Sequence, residues 1–141
     1  MDKLDIVTDE SGNEVVLLPE IIFSNKQNIN WNDVEDYLGK YVGELIEIAE
    51  TRDIIYIGNK FPDEYGGSSY TRKTKGARAK AKANAAQGIR EMVEIATDKV
   101  YRENHKEKHS EDAHNGWFYY VTRFAIPLYN NEKKTGEYNV Y

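Results

Sequence analysis

Apolar residues recur along this chain with two different periods. Trp31, Val34, Leu38, Tyr41 and Val42 keep a helical spacing. Asn30 or Asn32 can cap that run, and Lys40 and Gly43 stand where a cation and a glycine belong at a helix end. The pattern predicts a helix over 31–42 with its apolar stripe in the core. Lys75 to Gln87 is alanine-rich and predicts a second helix, stopped by Gly88. Ile89, Met92, Val93 and Ala96 resume helical spacing for about two turns. The clearest strand signal is Trp117 to Leu128, WFYYVTRFAIPL, dominated by aromatic and β-branched residues. Pro127 is expected to keep its far end near a sheet edge.

Shorter runs fill in the rest. Val15–Leu18, stopped by Pro19, and Ile21–Phe23 read as an edge strand or ragged hairpin, or as a tail lying on the body. Glu44–Glu50 fits a strand, or a second helical piece after Gly43; Ile54–Ile57 is a strand ended by Gly58. Phe61–Thr71 reads as a loop, with aromatics that cap the core or rim a site. It lacks the G-x-x-x-x-G-K-[ST] pattern of a phosphate-binding loop. Residues 99–104 read as extended, 105–115 as a short helix or long loop, and 130–136 as a charged hairpin turn before a return strand at 138–141. A helix beside such strands argues for an α+β fold.

With 141 residues and 40% hydrophobic content, the chain suits one globular domain, a polar segment over 1–14 followed by 15–141. It has no cysteine, which removes disulfides and thiolate metal sites. MDKLDIVTDESGNE has no apolar leader core, and no segment approaches the length of a membrane span, so no membrane partner is expected. Charge is unevenly placed. Residues 1–71 carry 5 basic and 15 acidic side chains, whereas 72–109 carry 11 basic and 5 acidic. Such a basic region can attract phosphates, and can equally be the wet face of a helix. Lys75, Arg78 and Lys82 share one side of the predicted helix, with Lys80 pointing elsewhere.

The three histidines, His105, His109 and His114, lie within this region or just beyond it. On a helix His105 and His109 would share a face, with Glu111 and Asp112 near. Lys106 and Lys108 would repel a cation, and H-E-x-x-H is absent, so no metal or other cofactor is expected. A solvated cluster and acid–base work are the other readings. Metal-free RNA cleavage needs a base for the 2′-hydroxyl, cations for the phosphorane and an acid for the leaving oxygen. His109, Tyr119, Arg123 and the Lys75/Arg78/Lys82 stripe supply those residue types.

The runs GKYVGELIEIAETRDIIYIGNKFPDEYGGSSYT, KGARAKAKANAAQGIREMVEIA and KEKHSEDAHNGWFYYVTRFAIPLYN, followed by GEYNVY, resemble a phage- and mobile-element-associated domain of the barnase–EndoU–colicin–RelE-like nuclease superfamily. The resemblance implies helices N-terminal to, and packed on, a small twisted antiparallel sheet. It also implies metal-independent ribonuclease-like chemistry in the cytoplasm of a bacterial host. By matching motif it points to Lys80 and Lys82, His109 and Arg123, with Asp63, Glu64 and Tyr65 of FPDEY on the substrate side. Family members continue past GEYNVY into a further strand pair, so the resemblance implies either a domain cut short at Tyr141 or a reduced form of it. Two other readings stand beside ribonuclease: a protein-binding inhibitor of a host defence nuclease (anti-CRISPR-like), and a structural module of a larger polypeptide.

Overall fold

The computed structural model describes residues 3–24, 29–67, 76–103 and 116–141. Strands β1 (Ile6–Thr8) and β2 (Glu14–Leu17) form an antiparallel hairpin within and just beyond the polar first segment. Its turn is held by Asp9, whose Oδ1 accepts the Ser11 and Asn13 amides at 2.9 Å each. Helix α1 (Trp31–Leu38) starts where the Asn30 side chain accepts the Asn32 and Asp33 amides, and a 3₁₀ turn, Gly39–Tyr41, completes it. Strands β3 (Leu45–Glu47) and β4 (Ile54–Tyr56) make a second hairpin. Next come α2 (Phe61–Gly66), α3 (Ala77–Asn84), a 3₁₀ turn (Ala85–Gly88) and α4 (Ile89–Glu94). Strands β5 (Thr97–Arg102), β6 (Trp117–Val121), β7 (Phe124–Asn130) and β8 (Lys133–Val140) close the chain.

The α+β class holds, with two differences from expectation. The helices sit mid-chain between strands, and among the described residues the strands form three sheets: β1-β2-β7-β8, β3-β4 and β5-β6. The largest sheet is mixed, because β2 and β7 run parallel, Val16 opposite Phe124. WFYYVTRFAIPL is therefore two strands in two sheets. The break falls at Thr122-Arg123, where the Thr122 hydroxyl donates to the Met92 carbonyl at 2.7 Å and turns the backbone toward α4. On β7, β2 pairs only with Phe124 and Ala125, so Pro127 lies past its end, and by alternation the missing Pro127 donor faces that unpaired side rather than β8, as expected near an edge. The final turn is tighter than expected: Asn131 and Glu132 both have positive φ, as a two-residue hairpin requires, and β8 resumes at Lys133.

FPDEYG is helical rather than a loop. Pro62 falls in the first turn, where its missing N–H costs nothing, and Phe61 and Tyr65 meet four residues apart with ring centroids at 5.8 Å. Gly88 ends the 3₁₀ turn and immediately precedes α4, and it also lets Leu4 and Leu18 come close. A Cβ there would stand 3.1 Å from Leu18 and 3.3 Å from Leu4. One core packs Trp31, Val34, Leu38 and Tyr41 against Ile46, Ile57 and the alanines Ala79, Ala83 and Ala86. A second joins Val16, Leu18 and Ile126 to Met92 and Ile95. Helix α4 contributes Ile89 to the first and Met92 to the second, so it ties the two halves. Each fully buried Val, Leu or Ile here contributes roughly 1.5–3 kcal/mol. Among the described residues no helix is long and apolar enough to cross a membrane.

Candidate functional site: the β5–β6 ribbon

Val100 pairs with Tyr119, Tyr101 with Phe118, and Arg102 with Trp117. Successive side chains of a strand point to opposite faces, so the register sorts the ribbon into two surfaces. Lys99, Tyr101, Phe118 and Tyr120 share the inner face, toward the hairpin β3–β4. Val100, Arg102, Trp117, Tyr119 and Val121 share the outer face. Both are open: Phe118 is 56% exposed and Tyr119 51%. Each of these rings has a cation beside it. Lys99 Nζ lies 4.3 Å from the Phe118 centroid, and the Arg102 guanidinium 5.7 Å from that of Tyr119.

The inner face is stapled to the body by Asp53, at the foot of β4. One oxygen, Oδ2, accepts from Tyr120 Oη at 2.6 Å, Lys99 Nζ at 2.7 Å and Thr51 Oγ1 at 2.8 Å. Lys99, then Tyr120 and Thr51, hold the Asp53 carboxyl at about 2. Asp53 in turn raises the pKa of Lys99, while burial and then the Asp53 hydrogen bond raise that of Tyr120. All three side chains are committed to this joint. The outer face keeps an open hollow of about 540 Å³ lined by Asp98, Val100, Arg102, Tyr119, Tyr120 and Val121. Gly116 closes the ribbon beside Arg102: its φ is 106°, and a Cβ there would meet the Arg102 carbonyl oxygen at 2.3 Å.

No family model, no curated protein and no solved structure matches this chain. The site is therefore argued from its own geometry.

The candidate residues are dispersed. Tyr119 stands on the ribbon's outer face. Lys82 lies half-buried at the corner of α2 and α3, its Nζ 5.0 Å from the Tyr65 centroid, while the Tyr65 hydroxyl donates to the Lys82 carbonyl. Burial lowers the Lys82 pKa and raises that of Tyr65. Arg123 occupies the β6–β7 joint, where its carbonyl accepts the Val16 amide at 3.0 Å. Its charge is a lesser influence on Asp9, whose pKa is lowered first by the Asn13 amide. Lys82 thus packs on Tyr65, Tyr119 stands beside Arg102, and Arg123 meets the β2 backbone. Arg78, Lys80, Asp63 and Glu64 are exposed, with Lys82 turned inward from Arg78. Lys75, His105, His109 and His114 lie outside the described residues, as do Glu111 and Asp112. Among the described residues no three His, Asp or Glu side chains converge as a metal site.

AKAKANAAQG has a buried member that charge counting passes over. Asn84 is fully buried, and its Oδ1 accepts the Ile22 and Phe23 amides at 2.8 and 3.2 Å. Its Nδ2 donates to the Phe23 and Lys80 carbonyls at 2.9 and 2.8 Å. Gln87 adds a bond to the Glu20 carbonyl at 2.9 Å. The motif thus clamps the extended chain after Pro19 onto α3.

Proposed function

We propose that this chain is a metal-independent ribonuclease-like domain that takes single-stranded RNA on the outer face of the β5–β6 ribbon. The observation that carries the reading is Arg102 beside Tyr119 on an exposed strand pair, at the end of the ribbon from which the chain continues to His109. An open aromatic face stacks a base of any identity, and a neighbouring guanidinium meets its phosphate. His109 acts as the base toward the 2′-hydroxyl, Arg102 stabilises the phosphorane, and the Tyr119 hydroxyl protonates the leaving 5′-oxygen. Arg78 and Lys80 of α3 are exposed cations that add to the attraction for phosphates. Lys82 and Arg123 are assigned to folding in this reading, from their packing against Tyr65 and β2.

The test is end-labelled single-stranded RNA incubated in EDTA. Cleavage by the 2′-hydroxyl leaves a 2′,3′-cyclic phosphate on one fragment and a 5′-hydroxyl on the other. The same attack chemistry without His109 should be slower by about 10²–10⁴-fold. A second reading, a protein-binding inhibitor of a host nuclease, is favoured by the 15 acidic against 5 basic side chains over residues 1–71. It predicts inhibition of a nucleic-acid enzyme and no cleavage.

A further inference from the structure

An apolar cleft of about 530 Å³ separates the hairpin β3–β4 from the inner face of the ribbon. Its lining includes Ile55, Tyr56 and Ile57 of β4 and its end, Phe61 of α2, Met92 of α4 and Phe118 of β6. Ile55 and Ile57 share one face of the strand, and Tyr56 between them also borders the cleft. Strand β3 covers the other edge of β4, and no strand pairs with the edge at the cleft among the described residues. Backbone direction agrees. The Ile57 amide donates to the Glu44 carbonyl, the Gly43 amide to the Ile57 carbonyl, and the Ile48 amide to the Asp53 carbonyl. Residues 53 and 57 thus turn toward β3, and by alternation Ile54 and Tyr56 turn their N–H and C=O groups to the open edge.

Three hydroxyls of the lining are already engaged. The Tyr120 hydroxyl is held by Asp53, that of Thr122 by the Met92 carbonyl, and that of Tyr65 by the Lys82 carbonyl. A nucleobase seated against the apolar floor would leave most of its polar edge unmet, at a cost of about 1–3 kcal/mol for each group. An aliphatic side chain meets no such cost, and the open backbone edge fits only another extended backbone.

We propose that the outer edge of β4 accepts an extended strand from a partner polypeptide, with branched aliphatic side chains at alternate positions entering the cleft. The added strand would be short, since β4 offers only Ile54–Tyr56. It would convert a two-stranded hairpin, marginal on its own, into three strands.

The test uses a fluorescein-labelled synthetic peptide in which valines alternate with threonines, read by anisotropy against the whole chain. Saturable binding is expected. N-methylation of the peptide's alternate amides should weaken it about tenfold, the loss of one or two edge hydrogen bonds. That comparison needs no protein variant, so it survives if a cleft-filling change such as Val93→Trp fails to fold. A folded Val93→Trp should also lose the peptide. Arg102→Ala and Tyr119→Ala, which disable the outer face, should leave peptide binding unchanged, so this inference and the RNA reading fail separately. No saturable binding, equal binding of the N-methylated peptide, or displacement of the peptide by oligouridylate RNA overturns the proposal.

Discussion

Asn84→Ala is the sharpest test of whether AKAKANAAQG is a scaffold or an RNA stripe. The change removes four hydrogen bonds to the backbone, two accepted and two donated, and a longer one accepted from Gln87 Nε2 at 3.4 Å, from a side chain with no solvent exposure. At about 1 kcal/mol net for each bond, the loss is roughly 3–4 kcal/mol. Alanine also leaves the Ile22 and Phe23 amides without this acceptor, which pushes toward the upper figure. For a chain of this length that corresponds to a fall of roughly 10–15 °C in Tm. Urea unfolding followed by tryptophan fluorescence should show a lower midpoint with an unchanged m-value. Asn84→Asp sharpens the argument. A carboxylate there still accepts from both amides but sets its second oxygen against the Phe23 and Lys80 carbonyls. Its loss should therefore exceed that of alanine at neutral pH, and shrink as acid protonates it and restores a donor. A loss under about 1 kcal/mol for Asn84→Ala, or an aspartate variant indifferent to pH, would refute the clamp.

Other outcomes follow from the same contacts. The Asp53 joint stabilises the fold above the usual carboxylate range and is lost as pH falls through about 2; Lys99 contributes below its ordinary pKa and is lost as pH rises through its raised folded value. Asp53→Asn should flatten the acid limb of a stability-against-pH curve, and an unchanged limb would count against the joint. Tyr119→Ala should cost about 1–3 kcal/mol of single-stranded RNA affinity, measured by filter binding, whereas Phe118→Ala should cost less. Arg102→Ala should reduce the salt dependence of binding by about one counterion-release unit, read as the slope of log K against log salt. Gly116→Ala forces a Cβ onto the Arg102 carbonyl and should open that end of the ribbon, seen as faster amide exchange at Tyr101 and Phe118.

Local chemistry was legible where it decides structure by itself. The Asn30 cap, the helical stripe from Trp31 and the extended run at Trp117 all follow from residue type and spacing. The loop expected from Phe61 is helical through Gly66, because the first turn of a helix accepts Pro62 and Phe61 packs on Tyr65 one turn on. The break at Thr122 depends on a hydroxyl meeting the Met92 carbonyl, 30 residues away, which no local pattern encodes. The site was harder for a similar reason. Tyr119 could be proposed from its type, but Arg102 becomes its neighbour only once Val100 is known to pair with Tyr119. Likewise Lys82 counts as one cation among several along the sequence, and only packing shows it half-buried against Tyr65.

The central claim is cleavage at the ribbon's outer face, and one measurement addresses it directly. Labelled single-stranded RNA is incubated in EDTA with the wild-type chain, His109→Ala and Arg102→Ala across neutral pH, and product ends are analysed. The account predicts 2′,3′-cyclic phosphate ends from the wild type. It predicts a rate lowered by about 10²–10⁴-fold in His109→Ala with RNA affinity retained, and a loss of both rate and affinity in Arg102→Ala. Intact RNA with the wild type, or equal rates from all three proteins, contradicts it.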